Sequence, residues 1–298
     1  MAPQTEDTRL HAVVSDLHFG DGLSLEDFVY DDAFVDFLGY LQRKASSVGG
    51  KAELVINGDF VDFLQIEPLT RTPWRVASEK LGRVAGAHRA TFEALGRFAA
   101  AGNRVVVLPG NHDIELSFGE VQAALGGLLA PDDAAARARI VFPDEVLGSH
   151  FKGWQRGPFV HRLPGVYIEH GNQLDVLNYF DHRDFYEGEG KDEVKLPWGS
   201  DFVLDVFNEV ESKYRFIDKL RPRSAALLIL WLIDPKLVKD RVGPLRALGP
   251  RLFSELRRFK RSSVAAAGEG TRGESLRGPQ SQEDSFLALL ADNAEALE

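Results

Sequence analysis

Four strand-like runs of the sequence end in residues that can do chemistry. The runs are LHAVVS, ELVIN, RVVVLP and GVYIE, and a carboxylate, amide or imidazole group follows each of them. The side chains concerned are Asp16, His18, Asp59, Asn111, His112, Asp113 and His170. Each end alone is compatible with an ordinary turn, because Gly and Asn are common turn residues and Asp often caps a helix. The coincidence of four such ends favours one shared site.

The spacing within each run supports this convergence. Side chains two residues apart in an extended chain point the same way, so Asp16 and His18 can reach one point beyond their strand. Gly58 permits a close backbone approach that places Asp59 at the end of the second strand. By average composition, the Gly-Asn-His-Asp tetrapeptide at 110–113 would occur by chance in about one such chain in a thousand.

The mixture of side chains predicts a metal site. The chain has no cysteine, which excludes disulfides, thiolate ligands and a cysteine nucleophile. Oxygen donors mixed with imidazoles suit divalent ions, and one carboxylate shared between two ions is a common arrangement. The predicted cofactors are therefore two divalent metal ions, with manganese as first choice and iron, zinc or magnesium as alternatives.

An alternation of strands and helices must position these groups. Apolar runs predict strands at 10–16, 53–57 and within GNRVVVLP, and short strands near 139–142 and 165–169. Phe34, Phe37, Leu38 and Leu41 have helical spacing, and further helices are predicted at 75–101 and 119–129. This order implies right-handed βαβ units, a parallel sheet and the α/β class. In such sheets, binding sites lie beyond the carboxyl ends of the strands.

Composition predicts a soluble globular protein. The 298 residues are 44% hydrophobic and 27% charged, which is ordinary for globular domains and unlike disordered chains. The N-terminus lacks an apolar signal region, and the run AALLILWLI is shorter than the about 20 residues that span a bilayer. We therefore expect a cytoplasmic protein. The predicted domains are a core at 8–200, a helical insertion or cap at 201–262, a flexible linker at 263–282 and a final helix at 283–298.

Charge is distributed unevenly along the chain. The net charge is −10, yet residues 221–261 contain 11 Lys or Arg and three acidic residues, a local balance of +8. This segment is either a solvated basic helix or a surface for an anionic lipid or membrane, which would make the protein peripheral at the membrane. The acidic balance elsewhere disfavours nucleic acid as a partner.

The ordered strand ends resemble a known family. They read Asp16-x-His18, Gly58-Asp59-x-x-Asp62, Gly110-Asn111-His112-Asp113 and His170, and the calcineurin-like metallophosphoesterases have D-x-H, G-D-x-x-D, G-N-H-D/E and H. The resemblance covers residues 10–175 and implies an αββα sandwich with phosphatase or phosphodiesterase activity on a phosphoester substrate. The HGNQLD context of His170 is more similar to bacterial phosphohydrolases of the UDP-diacylglucosamine hydrolase type than to eukaryotic Ser/Thr phosphatases.

The resemblance implies a dinuclear metal centre. Asp16 and His18 would bind the first ion. Asp59 would bridge the two ions, and Asn111 and His170 would bind the second. Two cations so placed lower the pKa of a bridging water, which gives a hydroxide aligned for attack on phosphorus.

The resemblance also implies catalytic residues that do not bind metal. His112 would stabilise the phosphoryl oxygens or protonate the leaving alkoxide, because an imidazole near neutral pKa is a natural proton donor. Asp113 would orient the ring of His112. His11 and His88 lie away from the strand ends and are predicted to be structural.

The last motif of the family, G-H-x-H, is absent. It supplies one histidine to each metal ion, and no histidine occurs between Arg183 and Glu298. Truncation, with a fold incomplete at the C-terminus, is the favoured explanation. The alternatives are a degenerate, non-catalytic site that leaves the fold as a binding scaffold, and donation of ligands by another subunit. The main prediction is a metal-dependent phosphoester hydrolase with weak metal binding and slow turnover.

Overall fold

A parallel sheet organises the chain. The structure is a computed structural model, and it describes residues 9–143, 160–175, 177–180, 186–188, 190–214 and Lys236. Its four strands, which lie side by side in chain order, are β1 (Arg9–Val14), β2 (Lys51–Asn57), β3 (Arg104–Leu108) and β4 (Ile140–Val141). Every neighbouring pair is parallel. The predicted α/β class with a parallel sheet is confirmed.

Two antiparallel hairpins lie outside this sheet. They are β5 (Val160–Leu163) with β6 (Val166–Glu169), and β7 (Tyr186–Glu187) with β8 (Glu193–Val194). The helices of the described residues are α1 (Asp31–Ser47), α2 (Trp74–Ala87), α3 (Arg89–Ala100), α4 (Gly119–Leu129), α5 (Ala134–Arg137), α6 (Trp198–Phe202) and α7 (Asn208–Lys213).

The central strands are apolar because both of their faces are covered. In β2, Leu54 and Ile56 belong to the main core with α1 and α3, whereas Val55 packs with Ile168 of β6. Alternate residues of a strand point to opposite faces. The helices therefore cover one face of the sheet, and the β5–β6 hairpin covers the other. Buried strands of this kind read as continuous apolar runs, which is why the sequence located them.

The amphipathic spacing of α1 is confirmed. Phe34, Leu38, Leu41 and Ala45 are its buried residues, and their spacing of three and four places them on one side of a helix. This apolar side packs into the main core. The helix carries the chain from the end of β1 to the start of β2, as a right-handed βαβ unit requires.

The prediction of a single helix at 75–101 is wrong, because the helix is interrupted at His88. The structure has α2 and α3, separated by His88 with φ −106° and ψ 40°. The imidazole is only 4% exposed, with Nδ1 2.9 Å from Asp31 Oδ2 and Nε2 3.1 Å from Glu26 Oε2. Contacts with these two carboxylates hold His88 at the junction. The helical pattern of the sequence could not reveal them, because both carboxylates are distant in the chain.

The predicted insertion is described only at its start. The chain divides into two units, 1–208 and 209–298. Within 201–214, α6 continues through a π-helical turn at Val203–Phe207 into α7. Apart from Lys236, the rest of the predicted insertion, the linker at 263–282 and the helix at 283–298 lie outside the described residues. In the described part of the chain, no helix has the length and apolarity needed to cross a membrane.

Candidate metal centre

The loops after β1, β2 and β3 meet at the carboxyl edge of the sheet. The N–H groups of Asp16 and His18 donate to the carbonyl oxygens of Gly58 and Asp59, at 3.2 and 2.9 Å. The N–H of His112 donates to Oδ1 of Asp59 at 2.9 Å. The three loops are therefore connected through their backbones, and Asp59 lies between the other two.

Two triads of potential metal ligands share one carboxylate. The ligand atoms of His18, Asp59 and His112 lie within 4.8 Å of one another, as do those of Asp16, Asp59 and His170. Nε2 of His18 is 3.7 Å, and Nε2 of His170 3.3 Å, from Oδ2 of Asp59. Carboxylate oxygens and imidazoles fit divalent cations. The shared position of Asp59 is the one that a bridging ligand requires.

The backbone at this edge is strained. Asp16, His18 and Asp59 have φ values of 56°, 50° and 51°, in the left-handed region that side-chain-bearing residues rarely adopt. Such conformations cost about 1 to 3 kcal/mol each and cluster at functional sites. Three predicted ligands therefore adopt conformations that only the surrounding contacts can maintain.

Two glycines allow the loops to approach one another. Gly58 has a φ of 80°, and a Cβ atom there would lie 2.5 Å from the His170 ring. A Cβ on Gly110 would lie 2.7 Å from the backbone nitrogen of Asp59 and overlap its carboxylate. Any side chain at either position would push a predicted ligand away.

Comparison with known proteins agrees with this geometry. The family model described as calcineurin-like phosphoesterase matches residues 11–236. This chain belongs to the calcineurin-like phosphoesterase family. No curated protein and no solved structure gives a significant match. Membership supports a metal-dependent phosphoester hydrolase in general terms, whereas the likeness to UDP-diacylglucosamine hydrolases and the loss of the last motif stay predictions.

Asp62 is the site residue of this phosphoesterase whose role the sequence did not reveal. Its carboxylate is 2% exposed, and Oδ2 lies 3.0 Å from Nδ1 of His18 and 2.8 Å from Nδ1 of His112. Burial acts to lower the pKa of His112, but the Asp62 carboxylate outweighs it and raises that pKa to about 9. The sequence did contain a signal for this role, because Asp62 is the second acidic residue of the G-D-x-x-D motif.

The contact expected between Asp113 and the ring of His112 is not the one in the structure. The Asp113 carboxylate, 0% exposed, accepts hydrogen bonds of 2.6–3.3 Å from backbone N–H groups of Asp59, Phe60, Val61 and Gly110. Asp62 occupies the Nδ1 side of His112 instead. The expected role of Asp113 is therefore corrected, since its carboxylate joins two site loops through their backbones.

His170 carries its imidazole into the site from the end of β6. Nδ1 lies 2.8 Å from the carbonyl oxygen of Asn57, which leaves Nε2 on the side of Asp59. Burial acts to lower the pKa of His170, but Asp59 raises it to about 9. Metal binding would require this imidazole without its proton on Nε2, and the cation would then balance the buried carboxylates in place of the proton.

The remaining predicted residues are only partly tested by the geometry. Asn111 lies on the loop after β3, 9% exposed, and its backbone carbonyl accepts a 3.1 Å hydrogen bond from the hydroxyl of Ser200. Its role as a ligand stays a prediction. His11 and His88 lie outside both triads.

Proposed function

We propose that this protein hydrolyses phosphoesters at a dinuclear metal centre. The observation that carries the proposal is the position of Asp59, whose carboxylate belongs to both ligand triads at the carboxyl edge of the sheet. By the family resemblance, Asp16 and His18 would hold one ion and Asn111 and His170 the other, whereas the structure groups Asp16 with His170 and His18 with His112 around Asp59. When bound, the two ions would supply a hydroxide nucleophile and neutralise the phosphoryl oxygens. Manganese is the first candidate, followed by iron, zinc and magnesium.

Asp62 prepares two imidazoles for different tasks. Its carboxylate contacts Nδ1 of both His18 and His112, which fixes the orientation of each ring and keeps a proton on each Nδ1. His18 is left with Nε2 toward Asp59, where a metal ligand is needed. His112 is left with Nε2 to donate a proton to a leaving oxygen or a hydrogen bond to a phosphoryl oxygen. A raised pKa keeps the His112 ring protonated for that donation.

Metal content and turnover, measured together, test these roles. Asp59→Asn removes a charge shared by two cations, so bound metal and hydrolysis of an aryl phosphate with Mn²⁺ should fall together. His112→Gln should keep its metal and lose about 10²- to 10⁴-fold in rate, because general acid catalysis is worth that much. Asp36→Asn, at an exposed position of α1, is the control and should behave as wild type.

Two outcomes would contradict the proposal in different ways. Loss of metal in His112→Gln to the extent seen in Asp59→Asn would make His112 a ligand and not a proton donor. A wild-type protein that binds Mn²⁺ but turns over no monoester or diester in a broad panel would favour the alternative, a phosphoesterase fold that acts as a binding scaffold.

We further propose that the basic segment 221–261 directs the enzyme to anionic lipid, as a cytoplasmic protein peripheral at the membrane. Its charge of +8 supports this proposal, because each basic residue near an acidic leaflet contributes about 1 kcal/mol. Reversal of Arg257, Arg258, Lys260 and Arg261 should reduce binding to phosphatidylserine vesicles, and salt should have the same effect. Binding that is unchanged by either treatment would refute the proposal.

A further inference from the structure

Away from the metal centre, Glu53 of β2 gathers basic side chains from three other strands. Oε1 lies 3.1 Å from Nδ1 of His11 in β1 and 3.0 Å from Nε2 of His161 in β5, and Oε2 lies 3.2 Å from Arg104 at the start of β3. Glu53 is 1% exposed. Burial acts to raise its pKa, but His161 and Arg104 outweigh burial and lower it. A buried carboxylate is tolerated because it is paired in this way.

His161 differs from the other two partners because it belongs to the β5–β6 hairpin. This hairpin is not paired with the parallel sheet. It packs on that sheet through a small cluster in which Ile168 is joined by Val55, Val106 and Leu108, with Leu163 beside them, and Val160 at its start lies in the main core. A two-stranded hairpin has little stability of its own, so its polar contacts with β2 contribute to its position.

The hairpin contacts β2 at a second place, next to the metal centre. The side-chain amide of Asn57 donates to the carbonyl oxygen of Glu169 at 3.0 Å, and Nδ1 of His170 lies 2.8 Å from the carbonyl oxygen of Asn57. Glu53 and Asn57 are four residues apart on one strand, about 13 Å at the usual rise. Two separated polar contacts therefore define how the hairpin lies along β2.

The register of the hairpin connects these contacts to the metal ligand. His161 pairs with Ile168, and His170 follows two residues after Ile168. We infer that the hydrogen bond between Glu53 and His161 positions His170 for metal binding, with Glu53 and His161 as positioning residues outside the metal centre. The inference rests on the proposed function in that His170 is taken as a ligand. Residues that orient metal ligands in this way contribute about 10- to 100-fold to metal affinity.

Three variants separate this role from general stability. His161→Leu removes the hydrogen bond but keeps an apolar bulk, whereas His161→Gln places an amide donor where Nε2 was. His11→Leu is the matched control. It removes a hydrogen bond to the same oxygen of Glu53, but His11 lies in β1 of the parallel sheet and not in the hairpin. Hydrogen exchange of the amides at 160–169 is measured in metal-free protein, and Mn²⁺ affinity is measured by calorimetry on the same samples.

We expect His161→Leu to speed exchange in the hairpin by about tenfold or more, because local opening becomes easier. Its Mn²⁺ affinity should fall about 10- to 100-fold. His161→Gln should restore both properties to nearly the wild-type values. His11→Leu should leave both unchanged, because the hairpin keeps its own contact with Glu53.

Several results would overturn the inference. These are wild-type exchange in His161→Leu, an equal effect of His11→Leu, or failure of His161→Gln to restore the hairpin. Exchange that is faster by the same factor in β2 and β3 of His161→Leu would reveal general destabilisation in place of a positioning role, and would overturn the inference as well. If the wild-type protein binds no Mn²⁺, the proposed function fails, and the exchange comparison still decides whether the contact positions the hairpin.

Discussion

Nδ1 of His112 lies 2.8 Å from Oδ2 of Asp62. The same oxygen lies 3.0 Å from Nδ1 of His18, and the two imidazole rings meet edge to face with centroids 4.7 Å apart. One buried carboxylate therefore orients both a predicted metal ligand and the predicted proton donor. Burial acts to raise the pKa of Asp62, but His112 and His18 hold it well below its usual range. The carboxylate is thus ionised near neutral pH.

Asp62→Asn should impair catalysis more than folding. The amide has nearly the same shape but no charge, so it holds neither the protonated His112 ring nor a single tautomer of His18. We expect kcat to fall about 10²-fold or more, because an oriented general acid is lost, with a smaller change in KM. Steady-state kinetics with saturating Mn²⁺ test this expectation, and an unchanged kcat would contradict it.

Asp113 provides the contrast to Asp62. Its carboxylate accepts hydrogen bonds from four backbone N–H groups, so Asp113→Ala would leave buried donors without partners. Each such donor costs about 1 to 3 kcal/mol, and we expect a loss of at least about 3 kcal/mol in the free energy of unfolding. Urea denaturation measures this loss. If Asp113→Ala reduced kcat at full stability, the orienting role expected from the sequence would be restored.

Gly110→Ala should weaken metal binding in a protein that still folds. The new Cβ would lie 2.7 Å from the backbone nitrogen of Asp59 and overlap its carboxylate, so the shared ligand must move. Calorimetry with Mn²⁺ should show a loss of affinity of about tenfold or more. Gly127→Ala is the matched control, because a Cβ at this position of α4 meets no atom within 4 Å. It should stabilise the helix by about 0.5 to 1 kcal/mol.

The sequence predicted the strand ends because buried parallel strands are apolar and their ends carry the motifs. It did not predict the break at His88, which depends on Glu26 and Asp31, two carboxylates more than 50 residues away in the chain. It also assigned to Asp113 the contact with the His112 ring that Asp62 makes in the structure. Asp62 and Asp113 both belong to motifs beside His112, and only the packed loops determine which one reaches Nδ1.

His88 should make stability depend on pH. Both of its ring nitrogens contact carboxylates, and only the imidazolium form can donate to both. Burial acts to lower its pKa, but Glu26 and Asp31 raise it above 6.5. The stabilisation is therefore fully present below pH 6.5 and is lost as pH rises through the folded-state pKa.

The comparison of wild type with His88→Gln measures this contribution. The difference in the free energy of unfolding should shrink as pH rises above about 6.5 through the folded-state pKa, where the folded protein loses its imidazolium. Urea denaturation at several pH values gives the difference. A difference that is constant, or that grows with pH, would show that His88 is not held as a cation.

Lys80 of α2 and Glu115, which follows the Gly110–Asp113 loop, are both buried and interact electrostatically. Lys80 is 1% exposed, and its ammonium donates to the carbonyl oxygen of Phe63 at 2.8 Å and to the hydroxyl of Thr72 at 2.9 Å. Glu115 is also 1% exposed, and its Oε2 has no hydrogen-bond partner among the described residues. Burial raises the pKa of Glu115 to about 8, so its carboxyl group is mostly protonated near neutral pH.

Lys80→Met should therefore lose its hydrogen bonds without the further cost of a stranded charge. The variant loses two hydrogen bonds of a charged donor, each worth about 1.5 to 3 kcal/mol, but leaves no ionised carboxylate behind. A stranded charge would cost about 3 to 5 kcal/mol. The test is a double-mutant cycle with Glu115→Gln near neutral pH, measured by urea denaturation. We expect a coupling energy below about 1 kcal/mol, as for weakly interacting pairs. A coupling of several kcal/mol would show that Glu115 is ionised and that Lys80 neutralises it.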